Sequence, residues 1–168
     1  MSVDLKISKN TDIEKTYNLL CQQIDNLIDA KDPLITNFSN ITAAIKQTFE
    51  KISWVGFYFL QGDILYLGPF QGNVACTRID LGKGVCGISA VQKKPQIVPD
   101  VHKFPGHIAC DVETNSEIVI PIIKDDKVFG VLDLDSKNFS AFEETDKIWL
   151  EKICELISDK LISNQSIM

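Results

Sequence analysis

Cys76, Cys86 and Cys110 fall within one 35-residue stretch crowded with glycine, proline and histidine. Each stands beside turn-forming residues, in Asn73-Val-Ala-Cys76, Gly84-Val-Cys86-Gly87 and His107-Ile-Ala-Cys110-Asp111. Cysteines used as small hydrophobes sit mostly on apolar faces of regular elements, so three in turn-rich segments point to thiol chemistry within reach of solvent. Zinc would suit thiolates with His102 and His107 nearby, but the gaps of nine and twenty-three residues contain no short C-x2-4-C knuckle, and no metal site is expected. Redox turnover needs an attacking cysteine of lowered pKa and a second thiol that converts its sulfenic acid into a disulfide. Cys110 best fits the first role, because it leads into a turn at Asp111 and His107, three residues back, can present a positive charge.

A second constellation lies downstream. Asp133 and Asp135 alternate with Val131, Leu132 and Leu134, so both carboxylates point to one face of a strand. Acids among apolar neighbours are costly to bury unless paired or sharing a proton, which suggests a cation, a metal or an amino group held between them. Glu117 begins the preceding strand and comes opposite this pair if the hairpin closes at Asp125-Asp126. Trp54 and Tyr58, four apart on an earlier strand, also share a face and can wall a small pocket with a few polar anchors. Gly82-Lys83-Gly84 lacks the full phosphate-loop pattern, so no nucleotide phosphate site is expected.

The elements that must carry these residues follow from periodicity. Thr11 to Ala30 reads as a helix, with Tyr17, Leu20, Cys21, Ile24, Leu27 and Ile28 on one face and Thr11 with Glu14 as a capping box. Asp32 as N-cap and Pro33 at the first helical position open a second helix to about Glu50. From Ile52 the period changes: Trp54 to Leu60 and Ile64 to Leu67 form one hairpin, and Ile118 to Lys124 with Lys127 to Asp135 form another. Between them, Gly84 to Lys93 reads as a short helix and Gln96 to Pro99 as a short strand. A last helix runs from Ala141 to about Ser163, with Ile148, Leu150, Ile153, Cys154, Leu156, Ile157 and Leu161 on its apolar face. Cys21 and Cys154 thus belong to helix packing. The expectation is one α+β domain over residues 1–168: a helical part at about 11–50, sheet and active-site loops at 52–136, and the C-terminal helix, with the helices on one face of an antiparallel sheet.

Composition narrows the function. With 168 residues, 45% hydrophobic and 24% charged, the chain can bury one sizeable core, and it has no apolar run long enough to span a bilayer. Nothing in Met1-Ser-Val-Asp-Leu-Lys resembles a secretion signal, so the expected location is the cytoplasm. Five cysteines there are no structural disulfide framework, and a disulfide would be catalytic. A net charge of -6 argues against nucleic acid.

Trp54-Val-Gly-Phe-Tyr58, Leu67-Gly-Pro-Phe-Gln-Gly72, Ala75-Cys76, Gly82-Lys-Gly-Val-Cys86-Gly87, Val98-Pro-Asp-Val101, His107-Ile-Ala-Cys110-Asp111, Ser116-Glu117-Ile-Val-Ile-Pro121 and Gly130-Val-Leu-Asp-Leu-Asp135-Ser136 occur in that order. This set resembles the free methionine-R-sulfoxide reductases, a family of single GAF-domain enzymes. The resemblance implies a six-stranded GAF sheet flanked by helices, a homodimer, and reduction of the R epimer of free methionine sulfoxide. Cys110 is then the nucleophile that becomes a sulfenic acid, and Cys86 and Cys76 are two candidate resolving thiols, with no choice between them. Thioredoxin, recycled by its reductase and NADPH, is the implied reductant, with no bound cofactor. Glu117, Asp133 and Asp135 match the acids that hold the ammonium and sulfoxide ends of the substrate, and Trp54 and Tyr58 match the wall around its methyl group. Glu117 or Asp135 could stay neutral and protonate the sulfoxide oxygen. The rival reading is a non-catalytic GAF sensor that binds a small ligand such as a cyclic nucleotide. Ser136-Lys-Asn-Phe resembles the tail of the cyclic-nucleotide pattern, but neither histidine follows a cysteine as in the bilin-binding type, and a second rival, a purely structural dimerisation module, leaves the loop thiols without purpose.

Overall fold

The structure, a computed structural model, describes residues 12–108 and 110–162. In chain order the elements are α1 (Ile13–Leu27), α2 (Leu34–Thr48), β1 (Trp54–Gln61), β2 (Ile64–Gln71), β3 (Arg78–Asp80), α3 (Gly84–Gln92), β4 (Gln96–Val98), a 3-10 turn (Val101–Lys103), β5 (Ser116–Lys124), β6 (Lys127–Ser136) and α4 (Glu144–Leu161). The six strands form one sheet in the order β3-β2-β1-β6-β5-β4, antiparallel throughout. Among the described residues, no helix is long and apolar enough to cross a membrane.

Strand alternation splits the core in two. Val55 and Phe57 of β1, Leu132 and Leu134 of β6, and Ile118, Ile120 and Ile122 of β5 face α1, α2 and α4, whose Tyr17, Ile24, Phe38, Ile45, Ile153 and Ile157 are buried against them. Trp54, Tyr58, Val119 and Val131 face the other way, toward α3 and the loops around it. The N- and C-terminal helices therefore cover one face, as the sequence predicts, and the opposite face is left for the site. The β5–β6 hairpin closes at Asp125 and Asp126, both at positive φ (49° and 61°), the backbone that a two-residue type I′ turn demands.

Several boundaries differ from the expectations. Thr11 lies outside the described residues, and the N-cap of α1 is Asp12, whose side chain accepts from the Glu14 amide. Asp32 does not cap α2. Pro33 does, at ψ 139°, and the preceding loop is tied instead by buried Asn37, which accepts from the Asp29 amide and donates to its carbonyl. Helix α4 begins at Glu144, because Glu143 and Asp146 form a reciprocal capping box there, and Ile148 is exposed rather than part of its buried face. Strand β2 continues past Leu67 to Gln71, and β3, only three residues long, pairs with its start.

Candidate active site

One pocket gathers Trp54, Tyr58, Cys86, Cys110, Glu117, Asp133 and Asp135, all seven expected to line a site, and Cys76 is joined to it through a disulfide with Cys110. The floor is set by strand register. Glu117 stands directly opposite Asp135, and Asp133 lies two residues along on the same face. Trp54 and Tyr58 form the neighbouring wall, with ring centroids 6.1 Å apart, because β1 pairs with β6 so that Trp54 faces Asp135 across the ladder.

Helix α3 supplies Cys86 from above. Gly84 opens that helix at φ +58°, and a Cβ on Gly87 would lie 2.5 Å from the Asp80 carbonyl oxygen, so glycine lets the helix seat tightly against β3. The Cys86 thiol is thereby buried 3.3 Å from Asp133 Oδ2, to which it donates. A helix N-terminus lowers a thiol pKa, but here it loses. Burial, and then the neighbouring Asp133 and Glu117 charges, push Cys86 well above the ordinary thiol range and keep it protonated.

The three acids are held the same way. Burial and mutual repulsion raise Glu117, Asp133 and Asp135 well above the usual carboxylate range. Among the described residues, Asp133 Oδ1 is buried with no hydrogen-bond partner. A proton shared with Glu117, or an ammonium donor, would satisfy it. Donor atoms of Cys86, Glu117 and Asp133 lie within 4.8 Å of one another, so this cluster could surround a small cation, whether an amino group or a metal. His107 does not play its expected part. Its Nε2 is 3.5 Å from Glu117 Oε2, and burial lowers its pKa, so it is a neutral neighbour of the acids and not a positive charge for Cys110.

The loops that carry the bridge hang from the wall. Trp54 Nε1 donates to the Asn73 carbonyl and Tyr58 Oη to the Cys76 carbonyl, each at 3.0 Å. Asn73 Nδ2 in turn donates to Asp111 Oδ2 at 3.0 Å, clasping the Cys76 loop to the Cys110 loop. These contacts bring the α-carbons of Cys76 and Cys110 to 5.4 Å, within bonding range, and leave Cys86 as the free thiol beneath them. Asn73 and Asp111 carry no periodicity or motif that assigns them a role in the sequence; their contact spans 38 positions and exists only in the fold. His102 sits apart, with its ring on Asn115 Oδ1.

The GAF domain family model matches residues 38–161. GAF domain-containing protein A of Dictyostelium discoideum is 47% identical, over 95% of this chain and 100% of its own length. The free methionine-R-sulfoxide reductase of Saccharomyces cerevisiae is 44% identical over 92% of this chain and 91% of its own. The solved structure of free methionine-R-sulfoxide reductase from Neisseria meningitidis in complex with its substrate superposes with a TM-score of 0.88, with 37% identity and 94% of each chain covered. With this likeness spanning both the sheet and the loops of the pocket, the chain belongs to the GAF-domain family of free methionine-R-sulfoxide reductases.

Proposed function

We propose that this protein reduces free L-methionine-R-sulfoxide to L-methionine through a cysteine sulfenic acid and the Cys76–Cys110 disulfide. The observation that carries the reading is the joining of that bridge to a buried acid cluster in one pocket. The substrate ammonium binds Asp133 and Asp135, and a cation placed there turns their cost of burial into attraction. Trp54 and Tyr58 enclose the methyl group. Glu117, kept neutral by burial beside Asp135, donates its proton to the sulfoxide oxygen and makes the sulfur electrophilic.

In the reduced protein, Cys110 Sγ takes the oxygen and becomes a sulfenic acid while methionine leaves. The Cys76 thiol then attacks that sulfur, water departs, and the disulfide forms. A dithiol, thioredoxin with its reductase and NADPH, returns two electrons and two protons. Cys86 is held protonated beside Asp133 and outside the bridge, so Cys76 is the better resolving thiol of the two. A reducing cytoplasm suits five cysteines without a structural framework, and a homodimer is the assembly that family resemblance implies.

The test is a coupled assay with thioredoxin, thioredoxin reductase and NADPH. Free L-methionine-R-sulfoxide should drive NADPH oxidation, and the S epimer and N-acetyl-methionine sulfoxide should drive little. Equal rates with the N-acetyl substrate would remove the role given to the acids.

A further inference from the structure

Around the Cys76–Cys110 bridge the molecule keeps apolar side chains in water. Val74 precedes Cys76 by two residues and Val112 follows Cys110 by two, and each is 87% exposed; Ile108, two before Cys110, is 37% exposed. Single exposed hydrophobes are ordinary, but these are tied together. The Asn73–Asp111 hydrogen bond and the disulfide fasten the two segments side by side at two points, so both valines flank the two half-buried sulfurs. None of the three belongs to either hydrophobic core; Val74 and Ile108 stand at the rim of the pocket, and Val112 lies outside its lining, so the apolar surface continues from the pocket mouth past the bridge.

Resting on the reductase reading above, we propose that Val74, Ile108 and Val112 form a docking collar for a protein dithiol reductant of the thioredoxin class. A small thiol needs no such surface. A protein must hold its attacking thiolate in line with the S–S bond, and drying three apolar side chains beside that bond supplies the orientation. The reductant thiolate attacks one sulfur of the bridge, and the other sulfur leaves as a thiolate and takes a proton. The second reductant thiol then attacks the mixed disulfide and frees the remaining cysteine. Two electrons pass to the bridge, and the reductant ends as a disulfide.

The experiment follows reduction of the oxidised protein with no sulfoxide present, once with thioredoxin and once with dithiothreitol. Val112→Asp should slow reduction by thioredoxin about tenfold and leave the dithiothreitol rate within about twofold. Val74→Asp, on the other loop, should act in the same direction. Unchanged rates with both reductants would overturn the collar. Equal falls with both would make the valines supports of the loops and not a docking surface. A shift from dimer to monomer in light scattering would assign the patch to a second copy of this chain. Since the bridge is reduced without substrate, failure of the sulfoxide reading appears separately, as absent turnover in the coupled assay while bridge reduction persists.

Discussion

Glu117 of β5 and Asp135 of β6 are register partners across the sheet, two acids placed directly opposite each other inside the molecule. Like charges so placed are destabilising, and burial adds to the cost of ionising either.

The first prediction concerns pH. In the unfolded chain these acids ionise near pH 4, whereas the folded protein holds their raised carboxyls protonated to higher pH. The unfolded state therefore binds fewer protons, so stability falls as pH rises from about 4 through the folded pKa values and levels off above them. Glu117→Gln removes one such acid while keeping its shape. It should melt about 2–4 °C higher than wild type at pH 7.5, a gain of about 1 kcal/mol, and the difference should close near pH 4. Its sulfoxide reduction should fall at least about 100-fold for want of the proton donor. Calorimetry at the two pH values checks the sign, and a gain that persists at pH 4 would refute the protonation argument.

The second prediction separates the cysteines. Cys110→Ser should abolish methionine formation. Cys76→Ser should form about one methionine per protein and stop, with a sulfenic acid on Cys110 that dimedone captures and mass spectrometry locates. Cys86→Ser should still form the Cys76–Cys110 bridge on adding substrate, because the Cys86 thiol lies beneath the bridge and is bonded to Asp133. A Cys86–Cys110 disulfide in peptides from the oxidised wild type would reverse the roles of the two.

The acids were legible before the fold because a strand has period two: Asp133 and Asp135 must share a face, and a turn at Asp125-Asp126 must bring Glu117 opposite. Trp54 and Tyr58 were legible for the same reason. The partner of Cys110 was not, since it depends on loop contacts from Trp54, Tyr58 and Asn73 that no local pattern encodes. The state of His107 is not legible either, because sequence proximity to Cys110 says nothing about burial against Glu117. Strand β3 is not legible because three residues carry no alternation, and β2 supplies its pairing.

The third prediction uses proton linkage. An ammonium placed among the acids favours their ionised forms, lowers their pKa values and expels protons. Binding of L-methionine at pH 7.5 should therefore release protons, read by calorimetry as a dependence of the apparent enthalpy on buffer ionisation. N-acetyl-methionine should bind far more weakly. For the corresponding sulfoxides, kcat/KM should fall about a thousandfold or more on N-acetylation, since buried acids are then left unpaired. Proton uptake on methionine binding would contradict the placement of the ammonium.

The last prediction concerns the frame that holds β6 in place. Buried Asp146 at the start of α4 accepts from Tyr17 Oη at 2.6 Å, from Lys51 Nζ at 2.7 Å and from the Glu143 amide at 2.8 Å. Lys51 also donates to the Ala141 carbonyl, and the Lys51 carbonyl accepts from Ser136 Oγ at the end of β6. One carboxylate thus joins α1, the lead into β1, the end of β6 and α4. Asp146→Ala strands the buried Tyr17 hydroxyl and unpairs Lys51, and should cost about 3–5 kcal/mol. Lys51→Ala leaves Asp146 two donors and should cost less, about 1–2 kcal/mol. Because neither residue lines the pocket, kcat measured well below the melting temperature should change little in either variant. Urea titrations rank the two costs; an equal or reversed order would show that the ion pair, and not the buried Tyr17 bond, carries the junction.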